Sequence, residues 1–442
     1  MLKLSVMSNG LKSTLISTES ITTDIKQNRF FEAWGIGLFL LALALRLFFV
    51  FYLQPTPSSG SDPFYYDQAA RGLIAGEGFH LGQLFAYIPP FYPSFLAAIY
   101  FLFGHSYLPV QIIQALLGAL TCIFVYLIGL QLGGKRMGML AGILMALHPQ
   151  LARYPSELWT ENLFIPLLWA TLLCLLRLRL STWPKSLFWG IAVGLLAGLA
   201  SLTREIGLPL MIIILFVEYL LRKKSNNHFG LKKLMLTTSI MLLVILPWTI
   251  RNYILLHHFV PITIVGGINF YQGNNPRANG NFIWILPEGT IWNQPWQTRG
   301  SFEYAVSSKC ISLGIKYALT NPLRSCKLGL TKYWLLWRPP YYKINLDQLN
   351  SEMLFRLVWL LFYIVILAGT VIGVTRQRYL WPQYLFLYLI LIVPSLIHMI
   401  LFAFTRHRLP FIPSLILLAS SILSNNLNTI RNGLNPKNET IS

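Results

Sequence analysis

Acidic residues are scarce in this chain. Only 15 of its 442 residues are Asp or Glu, against 35 Lys and Arg, and all charged residues together make up 11%. A soluble domain usually carries about 25%. With 55% of its residues hydrophobic, the chain cannot clothe itself in water, so its solvent is mostly lipid. Four cysteines are too few for a disulfide framework. Cys122 and Cys174 sit in apolar runs and read as packing residues. Cys310 and Cys326 share one extramembrane segment, and a bridge between them is not expected. No Cys/His cluster has zinc spacing. No GxxxxGK[ST] pattern surrounds Gly133-Gly134, so that pair reads as a turn. No internal or inverted repeat is visible, which weighs against a transporter. No basic run is interleaved with aromatics on a polar face, so the net charge of +20 does not signal nucleic acid.

What is present is a series of apolar runs. A span needs about 20 apolar residues, because the hydrocarbon core is about 30 Å thick. The runs 34–53, 108–131, 137–152, 158–178, 186–203, 207–221, 234–250, 354–374, 380–403 and 408–424 predict about ten transmembrane helices. Inside lipid the backbone must satisfy its own hydrogen bonds, so these runs are helical. The fold class is therefore an all-α polytopic membrane protein. Residues 1–33 are polar and lack a cleavage-site pattern, and read as a cytoplasmic tail rather than a signal peptide. Residues 425–442 read as a second one. With both ends inside, the inner segments carry 18 Lys and Arg, and the short outer segments only Arg71, Arg153, Arg204, Arg406 and Arg408. That asymmetry predicts cytoplasmic termini.

Two outer segments are long. Residues 54–107 contain a short surface helix from Asp67, ending at Gly76 or Gly78, and an aromatic-rich piece, Phe91 to Phe103. The latter is too short to span and is expected in the membrane interface. Residues 251–353 form a small outer loop domain. It separates a core, 34–250, from the C-terminal spans in 354–424.

Six of the 15 acids fall in the short outer segments: Asp62, Asp67, Glu77, Glu157, Glu161 and Glu205. Carboxylates at a bilayer boundary are costly unless solvated or paired, so their gathering suggests a polar cavity. Asp62, in Ser-Gly-Ser-Asp-Pro, is placed either to take a proton from a hydroxyl or to cap the helix after it. Glu161 opens a span and Glu157 precedes it by four, so both share a face if the helix starts early. Glu161 either caps that helix or, with Asp62, offers oxygen ligands to a divalent metal ion. Arg204, in Leu-Thr-Arg-Glu, is suited to a lipid phosphate or pairs with Glu205. Arg406, His407 and Arg408 interrupt an apolar run, either as a solvated turn or as a phosphate site. Arg46 lies inside the first run with no evident partner, and Glu218 and Arg222 read as an ordinary helix pair.

The string Asp62-Pro-Phe-Tyr-Tyr-Asp-Gln-Ala-Ala-Arg-Gly-Leu-Ile-Ala-Gly-Glu-Gly-Phe79, followed by Ile88-Pro-Pro-Phe-Tyr-Pro-Ser-Phe-Leu96, is similar to one family. It resembles the first outer loop of dolichyl-phosphate-mannose protein mannosyltransferase-like enzymes, glycosyltransferase family 39 of the GT-C superfamily. The resemblance continues through His148-Pro149, Thr160-Glu161, Leu202-Thr203-Arg204, Pro247-Trp-Thr-Ile-Arg-Asn252, Gly273-Asn274 and Arg408-Leu-Pro-Phe-Ile-Pro413, and covers about 34–424. It implies a GT-C-like bundle in the cell's inner (plasma) membrane. It further implies transfer of a sugar from a polyprenyl-phosphate carrier to a glycan, lipid or protein acceptor on the outer face.

By the same resemblance Asp62 is the base, Glu161 the second acid, and Arg204 lies near the carrier phosphate. Arg406 and Arg408 are added there from charge and position. Tyr65, Tyr66, Tyr92 and Glu157 are expected in the substrate cleft, and attack opposite the phosphate would invert the sugar carbon. The aminoarabinose-transferring branch has Glu-Lys-Pro where this chain has Tyr87-Ile88-Pro89, so lipid A modification is not expected. The first-loop Asp-Glu pair of the eukaryotic protein mannosyltransferases is also missing, since Pro63 follows Asp62. A transporter or flippase of lipid-linked saccharide is the alternative, and it predicts polar residues at mid-membrane.

Overall fold

The computed structural model describes residues 29–53, 55–222, 230–288, 301–339 and 351–424. The expected tail 425–442, and residues 1–28 of the expected tail 1–33, lie outside the described residues. In chain order the helices are α1 (Arg29–Leu53), α2 (Asp62–Ile74), α3 (Phe91–Phe103), α4 (Tyr107–Gly133), α5 (Lys135–Leu147) and α6 (Pro149–Arg153). Then come α7 (Glu161–Leu180), α8 (Lys185–Thr203), α9 (Gly207–Arg222), α10 (Leu231–Leu256), α11 (Val265–Gly273) and α12 (Ser301–Thr320). The last are α13 (Pro322–Trp337), α14 (Ser351–Arg376), α15 (Trp381–Ile400) and α16 (Ile412–Ser420). Among the described residues the β pairing is one bridge, Leu81 to Leu84.

Seven of these helices are long and apolar enough to cross a membrane: α1, α4, α7, α8, α10, α14 and α15. The 27 residues of α4 reach about 40 Å at about 1.5 Å per residue, enough for the hydrocarbon core. The other three expected spans are shorter elements. Run 137–152 contains α5 and α6, run 207–221 is the 16-residue α9, and run 408–424 holds a 3₁₀ turn, Thr405–Phe411, leading into α16. Pro149 ends the first of these and Pro410 sits in the last, where each denies a backbone donor to a continuing helix.

In lipid, helices associate by close packing rather than by escape from water, so small residues mark their contacts. Gly190, Gly194 and Gly198 line one face of α8, and a Cβ on each would meet Leu236, Ile240 or Val244 of α10 within 2.5–2.7 Å. Gly129 of α4 likewise meets Gly138 of α5, where an added Cβ would lie 2.8 Å from Gly138 Cα. The main core runs through α1, α4, α5, α7, α8, α9 and α15, with Trp169, Tyr126, Phe164 and Phe386 fully enclosed.

Residues 55–106 contain α2 and α3, at one end of the bundle. Ser61 caps α2, its hydroxyl accepting from the Phe64 N–H, and Pro63 fits the first turn. Asp62 is therefore not the capping residue; it stands in the first turn with its carboxylate turned elsewhere. The helix begins five residues before the expected Asp67. Asp67 is 3% exposed and fastens α2 to α3, taking Tyr100 Oη and His105 Nε2 at 2.9 Å and Arg71 Nε at 3.0 Å. Cys310 in α12 and Cys326 in α13 are both free thiols. Glu218 pairs with buried Arg179 of α7; the side chain of its expected partner Arg222 lies outside the described residues.

Candidate active site

Four chain segments bring charge to the end of the bundle that carries α2. The first turn of α2 supplies Asp62. The junction before α7 supplies Trp159, Thr160 and Glu161, and the end of α8 supplies Arg204. The 3₁₀ turn before α16 adds Arg406 and His407. Arg406 Nη2 donates to Asp62 Oδ2 at 2.5 Å. Its guanidinium lies 4.4 Å from the Trp159 ring centre and 5.5 Å from that of Phe404, a cation–π sandwich. Arg204 Nη1 lies 2.8 Å from Glu161 Oε1 and donates to Thr160 Oγ1 at 2.9 Å. Glu161 is only 1% exposed, and Arg204 neutralises it.

Two cavities meet at these residues. The larger, about 970 Å³, is lined by Asp62, Tyr65, Gln68, Tyr87, Trp159, Phe282, Trp284, Phe404 and Arg406 among others. The smaller, about 320 Å³, is lined by Asp62, Tyr66, Tyr87, Thr160, Arg204, Glu205, His398, Phe404, Arg406 and His407 among others. Asp62, Tyr87, Phe282, Phe404 and Arg406 belong to both. The shared carboxylate and guanidinium thus stand at a gate between a wide, aromatic chamber and a narrower, more charged one.

The electrostatics follow from this placement. Burial lowers the affinity of the Arg406 guanidinium for its proton, but Asp62 and then Glu161 outweigh it and hold the group above its ordinary range. Arg204 is likewise raised, with Glu161 overcoming burial. Both arginines remain cations at any working pH. Tyr66 is pushed up first by burial and then by Asp62, so it stays a neutral phenol. His407 is pushed well below its usual 6.5 by burial, then by His398, Arg406 and Arg204. It is neutral, stacks on His398 with ring centres 4.5 Å apart, and its Nδ1 is buried without a partner among the described residues. Arg406 Nε is in the same condition. Arg406 therefore keeps an N–H for a further anion.

Not every expected residue is here. Tyr92 is fully buried, donates to Gln114 Oε1 at 2.6 Å and lines neither cavity. It is a core residue, bound to α4 through Gln114. Arg408 is 1% exposed and donates to the carbonyls of Leu336 at 3.2 Å and Arg338 at 2.5 Å. It closes the end of α13 instead of facing the cavities, since the 3₁₀ turn sends residues 406 and 408 to different sides. Glu157 lies in extended backbone before α7, so it shares no helical face with Glu161, and it accepts from Trp159 Nε1 at 2.8 Å. Arg204 pairs with Glu161, not chiefly with Glu205. Arg46 packs against Gly118 of α4 and donates to Ala42 O at 2.9 Å. It borders a void of about 20 Å³ that it shares with Tyr154 and Glu161.

Trp159, Tyr87, Phe282 and Phe404 line the cavities, yet nothing in their spacing marks them out among 62 Phe, Trp and Tyr residues; His398 lines the smaller cavity. The need of an isolated arginine for an aromatic partner was the available signal. The donor set does not form a metal cage. Among the described residues no group of three or more His, Cys, Asp or Glu converges, and Asp62 and Glu161 are each already balanced by an arginine.

Residues 88–250 match a family model described as dolichyl-phosphate-mannose-protein mannosyltransferase. Glu161 and Arg204 lie inside that stretch; Asp62 and Arg406 lie outside it. No curated protein matches the chain in sequence. Among solved structures, the archaeal oligosaccharyltransferase AglB from Archaeoglobus fulgidus, in complex with an inhibitory peptide and a dolichol-phosphate, superposes with a TM-score of 0.56 at 14% identity. The alignment covers 94% of this chain and 53% of that one. The same oligosaccharyltransferase in complex with Zn and sulfate gives 0.51 at 14% identity, covering 91% and 49%. The chain thus spans about half the length of these structures, and the likeness is one of fold. With seven helices long and apolar enough to cross a membrane, the chain is a multi-pass membrane protein that shares its fold with this oligosaccharyltransferase, and its residues 88–250 are similar to the dolichyl-phosphate-mannose-protein mannosyltransferases.

Proposed function

We propose that the chain transfers a sugar from a polyprenyl-phosphate carrier to an acceptor hydroxyl on the outer side of the inner (plasma) membrane, inverting the anomeric carbon. The observation that carries this reading is the gate: Asp62 and Arg406, 2.5 Å apart, line both cavities. The smaller cavity suits the sugar phosphate. Arg204 and Arg406 offer it planar donor forks, and the neutral His407 can donate without competing for charge. The larger suits an acceptor, because its wall is aromatic with a few polar groups, the usual make-up of a small-molecule site.

In the reaction the bond between the sugar carbon and the phosphate oxygen breaks, and the acceptor oxygen forms a new one. Charge gathers on the leaving phosphate, where the two guanidinium groups lower its free energy. Arg406 is drawn toward that phosphate and leaves Asp62 free to take the acceptor's proton. Glu161 keeps Arg204 in place. The acceptor enters from the side of the gate away from the phosphate, which gives inversion. Both carboxylates are engaged by arginine, so as arranged they do not fit a metal ion.

The test is mass spectrometry of envelope glycans and lipids from cells with the gene, without it, and with Asp62→Asn. A sugar present only with the intact gene is expected. If Asp62→Asn supports the wild-type level of that sugar, Asp62 is not the base.

A further inference from the structure

Residues 79–88 contribute Leu81, Gly82, Leu84 and Tyr87 to the larger cavity. Tyr87, Ile88 and Pro89 line the smaller one. The segment has little structure of its own beyond the Leu81–Leu84 bridge across Gly82, whose φ of +61° glycine tolerates. A wall of this kind needs its backbone groups satisfied from elsewhere.

They are satisfied by two charged side chains distant in sequence. Glu303, in the first turn of α12, is fully buried. Its two carboxylate oxygens accept from the consecutive N–H groups of Phe85 and Ala86, the latter at 3.0 Å. Arg251, near the end of α10, donates to Phe85 O at 2.7 Å and Phe79 O at 2.5 Å. Its guanidinium rests 4.3 Å from the Trp248 ring centre. The Phe85 residue is thus gripped at its N–H by an anion and at its carbonyl by a cation. Ala86 O accepts from Ile264 N at 2.9 Å, and Ala86 itself is buried against Leu256, Val260, Ile268 and Val306. Charge-assisted bonds of this kind are about twice as strong as neutral ones, and burial removes the competing water.

We propose that Glu303 and Arg251 are positioning residues that fix residues 79–86, of which Leu81, Gly82 and Leu84 line the larger cavity and none lines the smaller, as the acceptor-side wall of the gate. The inference rests on the transferase reading. Neither residue lines either of the two cavities, and both lie outside the family match. Burial raises the Glu303 carboxyl above its ordinary range, and the Phe85 and Ala86 N–H groups, then Arg251, offset only part of that rise.

The test uses full-length wild type, Glu303→Gln and Glu303→Asp in lipid nanodiscs and in cells. Three quantities are read: amide exchange of the peptide containing residues 85 and 86, binding of undecaprenyl phosphate as the probe of the smaller cavity, and the sugar product in cells. Glu303→Gln is expected to speed exchange at 85 and 86 about tenfold. It should also lower product about tenfold, while probe binding stays within about twofold. Glu303→Asp, which keeps the charge, should recover part of the product. Faster exchange with undiminished product overturns the inference alone, as does a parallel loss of probe binding, which would mark a general structural role. A wild type that neither binds the probe nor yields product removes the transferase reading and the inference together.

Discussion

Arg406 and Asp62 are 344 residues apart in the chain and 2.5 Å apart in space. Their ion pair joins the first turn of α2 to the 3₁₀ turn before α16, and both side chains face both cavities. A pair that lines two chambers can be broken by a ligand in either, unlike the Asp67–Arg71 pair within α2.

Replacing Asp62 with Asn should lower sugar transfer by about a hundredfold or more, the usual weight of a general base. The fold should survive, since Ser61 caps α2 and the Asp62 carboxylate is about half exposed. Product measured by mass spectrometry beside the elution profile of the purified protein separates the two effects.

Arg204→Met leaves Glu161, 1% exposed, without its cation. Removing one partner of a buried pair costs about 3–5 kcal/mol. The double variant Arg204→Met/Glu161→Gln should regain much of the thermal stability but not undecaprenyl phosphate binding. Recovery of binding in the double variant would remove Arg204 from the carrier site.

His407 gives a pH dependence. In the folded chain burial, with His398, Arg406 and Arg204 around it, holds the imidazole neutral well below 6.5. The unfolded chain binds the proton first, so this contribution is full above about pH 6.5 and is lost as pH falls below that. The melting temperature in nanodiscs should drop between pH 7 and pH 5, and less steeply in His407→Gln. Identical slopes would show that His407 does not govern the loss.

Tyr92→Phe tests the reassignment of that ring to the core. It leaves Gln114 Oε1 without its 2.6 Å donor, at a cost of about 1–2 kcal/mol. Transfer should change by less than about twofold, because the apolar contacts of the ring remain. A selective rise in the acceptor KM would return Tyr92 to the substrate cleft.

Treatment with EDTA should leave transfer within about twofold of the untreated level. A hard divalent cation needs oxygen ligands free to bind it, and here Asp62 and Glu161 face Arg406 and Arg204. Loss of activity restored by Mg²⁺ or Mn²⁺ would show that the substrate completes a metal site.

What could be read without the fold was whatever depends on near neighbours in the chain. Hydropathy located α1, α4, α7, α8, α10, α14 and α15, because a run must satisfy its backbone within itself in lipid. The cost of charge at a bilayer edge drew attention to Asp62, Glu161, Arg204 and Arg406. Short runs were harder: 137–152 and 408–424 have apolar composition, but prolines and tight turns cut them below a span.

Pairing belongs to the tertiary structure. Glu161 lies four residues after Glu157 in the chain, yet it meets Arg204, because the backbone is extended at Glu157 before α7 starts and α8 ends alongside. Arg406 and Arg408 look alike in sequence, yet one faces the cavities and the other closes α13. The direction of a side chain in a 3₁₀ turn is set by the helices it packs between, and no local pattern records which helices those will be.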